Sequence, residues 1–121
     1  MKARHLLIAD DNAEFRNYLR DVANMMQYTV HCTGNGREFI AAYKDFDPSH
    51  IVVDLVMPDI DGVELLEWLA GQRCGAKVFI ITGYSPDMAK VVERLAMASG
   101  LSIDGVYNKP IALKDLRALL A

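Results

Sequence analysis

The sequence predicts an α/β fold with a doubly wound parallel sheet, and three observations predict it. Short apolar runs alternate five times with longer stretches of helical periodicity, as in a chain that crosses a sheet and returns through a helix. The runs are almost continuously apolar, which suits strands covered on both faces. The length of 121 residues allows one closed hydrophobic core and no second. Residues 1–121 are therefore read as a single domain without an internal linker.

The first run is His5 to Ala9, and the second, third, fourth and fifth are Tyr28 to Cys32, Ile51 to Val53, Val78 to Ile81 and Ile103 to Tyr107. Between the first two, Phe15, Tyr18, Leu19, Val22 and Met26 fall on one helical face that should pack on the sheet. Phe39, Ile40 and Tyr43 mark a second, shorter helix that must stop before Pro48, because proline disfavours helix at the residue preceding it. Leu65, Leu66 and Leu69 mark a third, begun after the Asp61–Gly62 turn. Met88, Val91, Val92, Leu95 and Ala96 mark a fourth, with Pro86 in its first turn and Gly100 as its stop. Leu113, Leu116 and Leu120 make the fifth. Five such units with right-handed crossovers favour the flavodoxin-like strand order 2-1-3-4-5. Ligand sites in such sheets lie beyond the carboxyl ends of the strands, next to the point where strand order reverses, here between strands one and three.

The polar residues at those strand ends are Asp10 and Asp11 after strand one, Asp54 after strand three, Thr82 at the end of strand four, and Lys109 followed by Pro110 after strand five. Three carboxylates against one ammonium leave an excess of negative charge that calls for a cation or for protons. Oxygen ligands select magnesium, calcium or manganese over zinc, and few carboxylates with room for a phosphate is magnesium's habit. A transferring phosphoryl group spreads charge over three oxygens, so its catalysis is largely positioning and neutralisation. Magnesium held by Asp10 or Asp11 together with Asp54, the Lys109 ammonium and the Thr82 hydroxyl can each take one oxygen, and Asp54 becomes the nucleophile of an acyl phosphate. Gly83 leaves the approach free of a side chain. Each residue also has a bland role. The aspartate pair or Asn12 can cap a helix, Asp54 can belong to the turn at Met57–Pro58, Thr82 is an ordinary strand residue, and Lys109 can be a solvated loop lysine. The reading rests on all of them ending at one sheet edge.

In order and spacing, Leu7–Ile8–Ala9–Asp10–Asp11, the stretch from Val52 through Asp54, Met57 and Pro58 to Asp61–Gly62, Ile80–Ile81–Thr82–Gly83 and Asn108–Lys109–Pro110 resemble the receiver domain of two-component response regulators over essentially the whole chain. The resemblance implies that Asp54 is the phosphoacceptor, Asp10 and Asp11 the acid pair for Mg2+, and the Val56 backbone carbonyl a further metal ligand. Thr82 and Lys109 would be the switch hydroxyl and the phosphate-binding lysine, and Lys109–Pro110 a candidate cis peptide. The implied partners are a histidine kinase or a histidine phosphotransfer protein, and an output domain or protein reached through helix four, strand five and helix five, where Met97, Val106 and Tyr107 lie. A homodimer is left open. One departure stands out: the family commonly places Tyr or Phe three residues before its lysine, where this chain has Val106. Tyr107 follows it, but side chains alternate along a strand, so Tyr107 should point to the opposite face. More narrowly, the segment Arg94–Leu95–Ala96 through Gly100–Leu101 and Gly105–Val106 into Lys109–Pro110 is similar to receivers fused to EAL-type cyclic-di-GMP phosphodiesterases.

A magnesium-dependent phosphatase of haloacid dehalogenase type is the alternative, since it too combines an Asp nucleophile with Thr, Lys and magnesium. It wants a second Asp two residues after the nucleophile, and Val56 stands there. A Rossmann-type nucleotide module would need glycines after strand one, where Asp10–Asp11–Asn12 instead repels pyrophosphate.

Composition excludes further classes. Hydrophobic residues make up 52% and charged residues 24%, the balance of a compact soluble chain. A net charge of -3 without a basic run offers no footprint for direct nucleic-acid binding. The start Met1–Lys2–Ala3–Arg4–His5 is positive, but Leu6 to Ala9 is too short for a signal peptide, and no segment approaches the roughly 18 apolar residues of a membrane span. A cytoplasmic location is expected. Cys32 and Cys74 have neither redox nor zinc spacing and read as ordinary thiols. His5, His31 and His50 have no ligand spacing. Trp68 and most of the methionines are expected on the core stripes, and Tyr84 in the loop above strand four.

Overall fold

The computed structural model describes residues 4–121; the Met1–Lys2–Ala3 part of the charged start lies outside them. The elements are β1 (His5–Ala9), α1 (Ala13–Met25), β2 (Thr29–Thr33), α2 (Gly36–Phe46), β3 (His50–Val53), α3 (Gly62–Gly71), β4 (Lys77–Thr82), α4 (Pro86–Ala98), β5 (Ser102–Asn108) and α5 (Leu113–Leu120). All five strands are parallel, in the order β2-β1-β3-β4-β5. Among the described residues no helix is long and apolar enough to cross a membrane.

Local chemistry sets the boundaries. Asn12, Asn35 and Asp61 cap α1, α2 and α3, each accepting at 2.9 Å from the backbone N–H three residues on, which satisfies one of the donors a helix start leaves free. Helix α2 ends at Asp47, in the left-handed conformation (φ 51°), immediately before Pro48. Helix α4 starts on Pro86, whose missing N–H costs nothing at that position.

The sheet separates two apolar layers. Leu7, Ala9, Ile51, Val53, Val78 and Ile80 face α2, α3 and α4, where they meet Phe39, Leu65, Leu69 and Val92. Leu6, Ile8, Val52, Phe79 and Ile81 face α1 and α5, where they meet Leu19, Val22, Leu116 and Leu120. The period of two along β1, β3 and β4 therefore assigns successive residues to opposite layers.

Three expectations need correction. The edge strands are not covered on both faces: Thr29 and His31 on β2, and Ser102 and Asp104 on β5, are exposed, because an edge has a neighbour on one side only. On α4 the expected stripe splits. Ala89, Val92 and Ala96 are buried, whereas Met88, Val91 and Leu95 are exposed, Leu95 by 62%; the five apolar positions span a wider arc than the sheet can cover. The methionines do not follow the core stripes either. Met57 is buried and Met26 packs against the core, but Met25, Met88 and Met97 are exposed. Trp68 does pack on the core, edge-on to Tyr43 at 5.3 Å between ring centroids.

Candidate functional site

The carboxyl ends of β1, β3, β4 and β5 bring together Asp10, Asp54, Thr82 and Lys109, and Asp11 stands beside them. Backbone hydrogen bonds fix the relative heights of these strand ends. Asp54 N–H donates to the Ala9 carbonyl at 2.9 Å and Lys109 N–H to the Thr82 carbonyl at 3.0 Å. Asp10 and Thr82 are fully buried and Asp54 nearly so, while Asp11 is exposed.

Asp54 is held by three donors. Its Oδ1 accepts from the Thr82 hydroxyl at 2.7 Å and from the Val56 N–H at 3.1 Å, and its Oδ2 accepts from Lys109 Nζ at 3.0 Å. The Thr82 hydroxyl in turn accepts from the Tyr84 N–H at 3.1 Å, so its proton is directed at Asp54. Asp10 Oδ1 accepts from the Asn12 N–H at 2.8 Å. Asp10 Oδ2 lies 2.7 Å from Lys109 Nζ, yet it has no partner in hydrogen-bonding alignment. We read that contact as a charge pair with an oxygen still open to a better-placed ligand.

The electrostatics follow from this burial. Removal from water raises the pKa of Asp10 above the ordinary carboxylate value; Lys109 and the Asn12 N–H pull it back only in part, and the Asp54 charge pushes it further up. Burial alone would lower the pKa of Lys109, but the close carboxylates of Asp10 and Asp54 outweigh it and hold the ammonium above its usual value. One carboxylate oxygen from each of Asp10, Asp11 and Asp54 lies within 4.8 Å of the others. Three carboxylates gathered this closely against the single charge of Lys109 leave an excess of negative charge that fits a small hard cation.

Val56 is 55% exposed and Tyr84 37%, and their backbone N–H groups, donating to Asp54 and to Thr82, place both beside the cluster. The Lys109–Pro110 peptide is cis. Val106 packs into the layer of α2, α3 and α4, and Tyr107 into that of α1 and α5, so the two do point to opposite faces. Tyr107 lies over Gly105, where a Cβ would come within 2.7 Å of its ring. Cys32 and Cys74 are free. The histidines collect at the other end of the sheet: His5 on Phe46, and His50 between Tyr28 and Phe79.

Three contributors lay outside the sequence reading. Gly62 approaches the Asp54–Leu55 backbone so closely that its N–H donates to the Leu55 carbonyl at 3.1 Å; the Asp61–Gly62 pair signalled a turn but not this approach. Arg16 donates to the Asp10 carbonyl at 2.7 Å, a contact without a sequence signal. Phe15, read as a core residue, places its ring under Lys109 Nζ at 4.5 Å from the centroid; its position in the first turn after the aspartate pair was the available signal.

Residues 6–121 match the family model described as the response regulator receiver domain. The chemotaxis protein CheY of Halobacterium salinarum is 29% identical, over 89% of this chain and 86% of that protein. The regulatory protein AtoC of Escherichia coli is 28% identical over 95% of this chain but only 24% of its own length, so this chain spans a minor part of some relatives. Among solved structures, a response regulator from Colwellia psychrerythraea superposes with a TM-score of 0.82 at 27% identity, covering 98% of this chain and 94% of that one. A CheY-like receiver domain protein from Methanospirillum hungatei gives 0.86 at 24% identity, with 98% and 91% covered, a likeness of fold.

Proposed function

Because the chain belongs to the response regulator receiver domain family, the phosphoacceptor modules of two-component signalling, we propose that Asp54 is its phosphoacceptor and that Asp10, Asp11, Thr82 and Lys109 serve that residue. The observation that supports this best is the three-donor grip on Asp54: Thr82 and the Val56 N–H on one oxygen and Lys109 on the other. A buried carboxylate held in this way keeps one rotamer, and fixed geometry is the main resource of phosphoryl transfer.

An Asp54 oxygen attacks the phosphorus of a phosphohistidine on a histidine kinase or a histidine phosphotransfer protein. The oxygen–phosphorus bond forms as the phosphorus–nitrogen bond breaks, and the imidazole leaves with the electron pair and takes a proton. Lys109 and the Thr82 hydroxyl, both already directed at Asp54, then neutralise the phosphoryl oxygens. Receiver domains of this family bind Mg2+ at their acidic pocket; here Asp10, Asp11, Asp54 and the Val56 carbonyl would hold the ion, which supplies positive charge to the transferring group. Because Thr82 and Lys109 close β4 and precede α5, their reorientation would be passed to α4, β5 and α5, the face offered to an output domain or protein in the cytoplasm. Residues 1–121 would act as one receiver unit. The chain would also assist hydrolysis of its own acyl phosphate.

The haloacid dehalogenase reading loses its general acid, since Val56 supplies no carboxylate two residues after Asp54, and the family assignment gives it no support.

The test is intact-mass measurement after incubation with acetyl phosphate and Mg2+. One added phosphoryl group is expected, absent in Asp54→Asn and absent when EDTA is present. Phosphorylation that persists in Asp54→Asn, or that ignores EDTA, would refute the assignment.

A further inference from the structure

We propose that Phe15 is a positioning residue for Lys109, its ring holding the ammonium over the two carboxylates. This rests on the reading of Asp54 and Lys109 as the phosphoryl-accepting pair. The ammonium has three sides accounted for: Asp10 Oδ2 at 2.7 Å, Asp54 Oδ2 at 3.0 Å, and the Phe15 ring with its centroid 4.5 Å away. An ammonium over an aromatic face is attracted by the ring's negative π cloud, most strongly where water is scarce. The Lys109 side chain is only 21% exposed.

The ring is fixed from its own side. The Asn12 side chain caps α1 by accepting from the Phe15 N–H at 2.9 Å, and the Asn12 N–H in turn donates to Asp10 at 2.8 Å. The same segment therefore anchors one of the lysine's carboxylate partners and the aromatic ring beneath it. One turn on, the Tyr18 hydroxyl donates to the Ile111 carbonyl at 3.2 Å, two residues beyond Lys109, and the Tyr18 and Phe15 rings touch edge to face at 6.3 Å. Helix α1 thus grips the start of the β5–α5 connection at two points. The Lys109 backbone is tied separately to Thr82, leaving the flexible four-carbon stem as the part that needs a support. An aliphatic residue at position 15 would fill the space but offer no charge-seeking face, and water or side-chain rotation would compete for the ammonium.

A positioning role differs from mere core packing in a way that substitution can read. In Phe15→Leu the packing volume is nearly kept and the aromatic face is lost; in Phe15→Trp the face is kept. In wild type, the Lys109 ε-methylene protons should resonate upfield of ordinary lysines because they lie over the ring. Phe15→Leu should abolish that shift and Phe15→Trp should retain it. Beryllofluoride with Mg2+, a mimic of the phosphoryl group, should bind Phe15→Leu about three- to tenfold more weakly, the scale of one partly desolvated cation–π contact, and Phe15→Trp within about twofold of wild type. Phe15→Met guards against a folding defect peculiar to leucine. Leu and Met variants that bind as tightly as wild type, while Asp54→Asn does not bind, would overturn the role of Phe15 and leave the Asp54 assignment standing. If wild type and Asp54→Asn bind alike, that assignment fails, and the methylene shift alone decides: lost in Leu and kept in Trp upholds the ring's hold on the lysine, and its absence from wild type overturns it.

Discussion

Gly62→Ala should damage both the fold and the proposed phosphoacceptor Asp54, and the structure gives the size of the effect. A Cβ at Gly62 would overlap the Asp54 carbonyl oxygen and lie 2.5 Å from Leu55 Cα and 2.8 Å from the Asp54 carbonyl carbon. All three are backbone atoms, so no rotamer change relieves the contact. Ordinary contact begins near 3.4 Å, and the start of α3 must retreat from the Asp54–Leu55 segment by about 1 Å, the kind of overpacking that costs about 1–3 kcal/mol. Alanine's better helix propensity returns at most about 1 kcal/mol. A net loss of about 1–2 kcal/mol should lower Tm by about 4–8 °C in a domain of this size. The chemical loss should be larger, because Asp54 is the residue displaced and a misplacement of about 1 Å can cost a hundredfold in rate. Urea titration gives the stability, and mass-resolved phosphorylation by acetyl phosphate the rate. Gly71→Ala is the control: it lies at the end of the same helix, with open space where its Cβ would be, and should leave both nearly unchanged. A Gly62→Ala protein with wild-type stability and wild-type phosphorylation would refute the claim that this close approach sets the position of Asp54.

Lys109→Ala should still accept some phosphoryl group yet show a smaller spectral change on phosphorylation than wild type, because the charge link from Asp54 to the end of β5 is gone; an equal change would exclude that role. Val56→Asn combined with Tyr84→Glu should shorten the acyl-phosphate lifetime, since neither native side chain can orient a water for in-line attack; the loss of phosphoryl mass after donor removal measures it, and an unchanged or longer lifetime would point to other groups. At the opposite end of the sheet, burial first, and then the nearby Lys77 and Arg4 charges, lower the pKa of His50 below 6.5. The folded state therefore resists a proton that the unfolded chain accepts, so His50 contributes stability that is complete above 6.5 and is lost as the pH falls through its lowered folded value. Urea midpoints between pH 7.5 and 5.5 should fall less steeply in His50→Gln, and parallel slopes would show that other groups carry the acid sensitivity.

The layer architecture, the strand order and the convergence of Asp10, Asp11, Asp54, Thr82 and Lys109 were legible because each follows from a short-range signal. Continuous apolar runs mark strands, helical spacing marks the returns, and parallel connection sends every strand's carboxyl end to one edge. What was not legible depends on contacts between segments far apart in sequence. Apolar content alone does not tell the edge strand β2 from the central β3, nor show which arc of α4 meets the sheet, so the spacing that marks α4 includes Met88, Val91 and Leu95 although they are exposed.

The same limit applies with most consequence at β5. Its register against β4 slips between Val78 and Phe79: Val78 pairs with Ile103 but Phe79 with Gly105, leaving Asp104 as the extra residue of a bulge. A strict period of two from Ile103 would send Val106 to the layer of α1 and α5. The bulge instead lets Ile103 and Val106 both face the layer of α2, α3 and α4, while Tyr107 turns to the other side. Val106 thus occupies the inward position on the side of α4, with a small branched side chain that has few rotamers. Displacement of Thr82 toward a phosphoryl group would therefore have no large ring at Val106 to swing. Besides the β4–β5 pairing, a response would have the backbone bond from Lys109 to the Thr82 carbonyl and the α1 contacts of Phe15 with Lys109 and of Tyr18 with Ile111 to travel through.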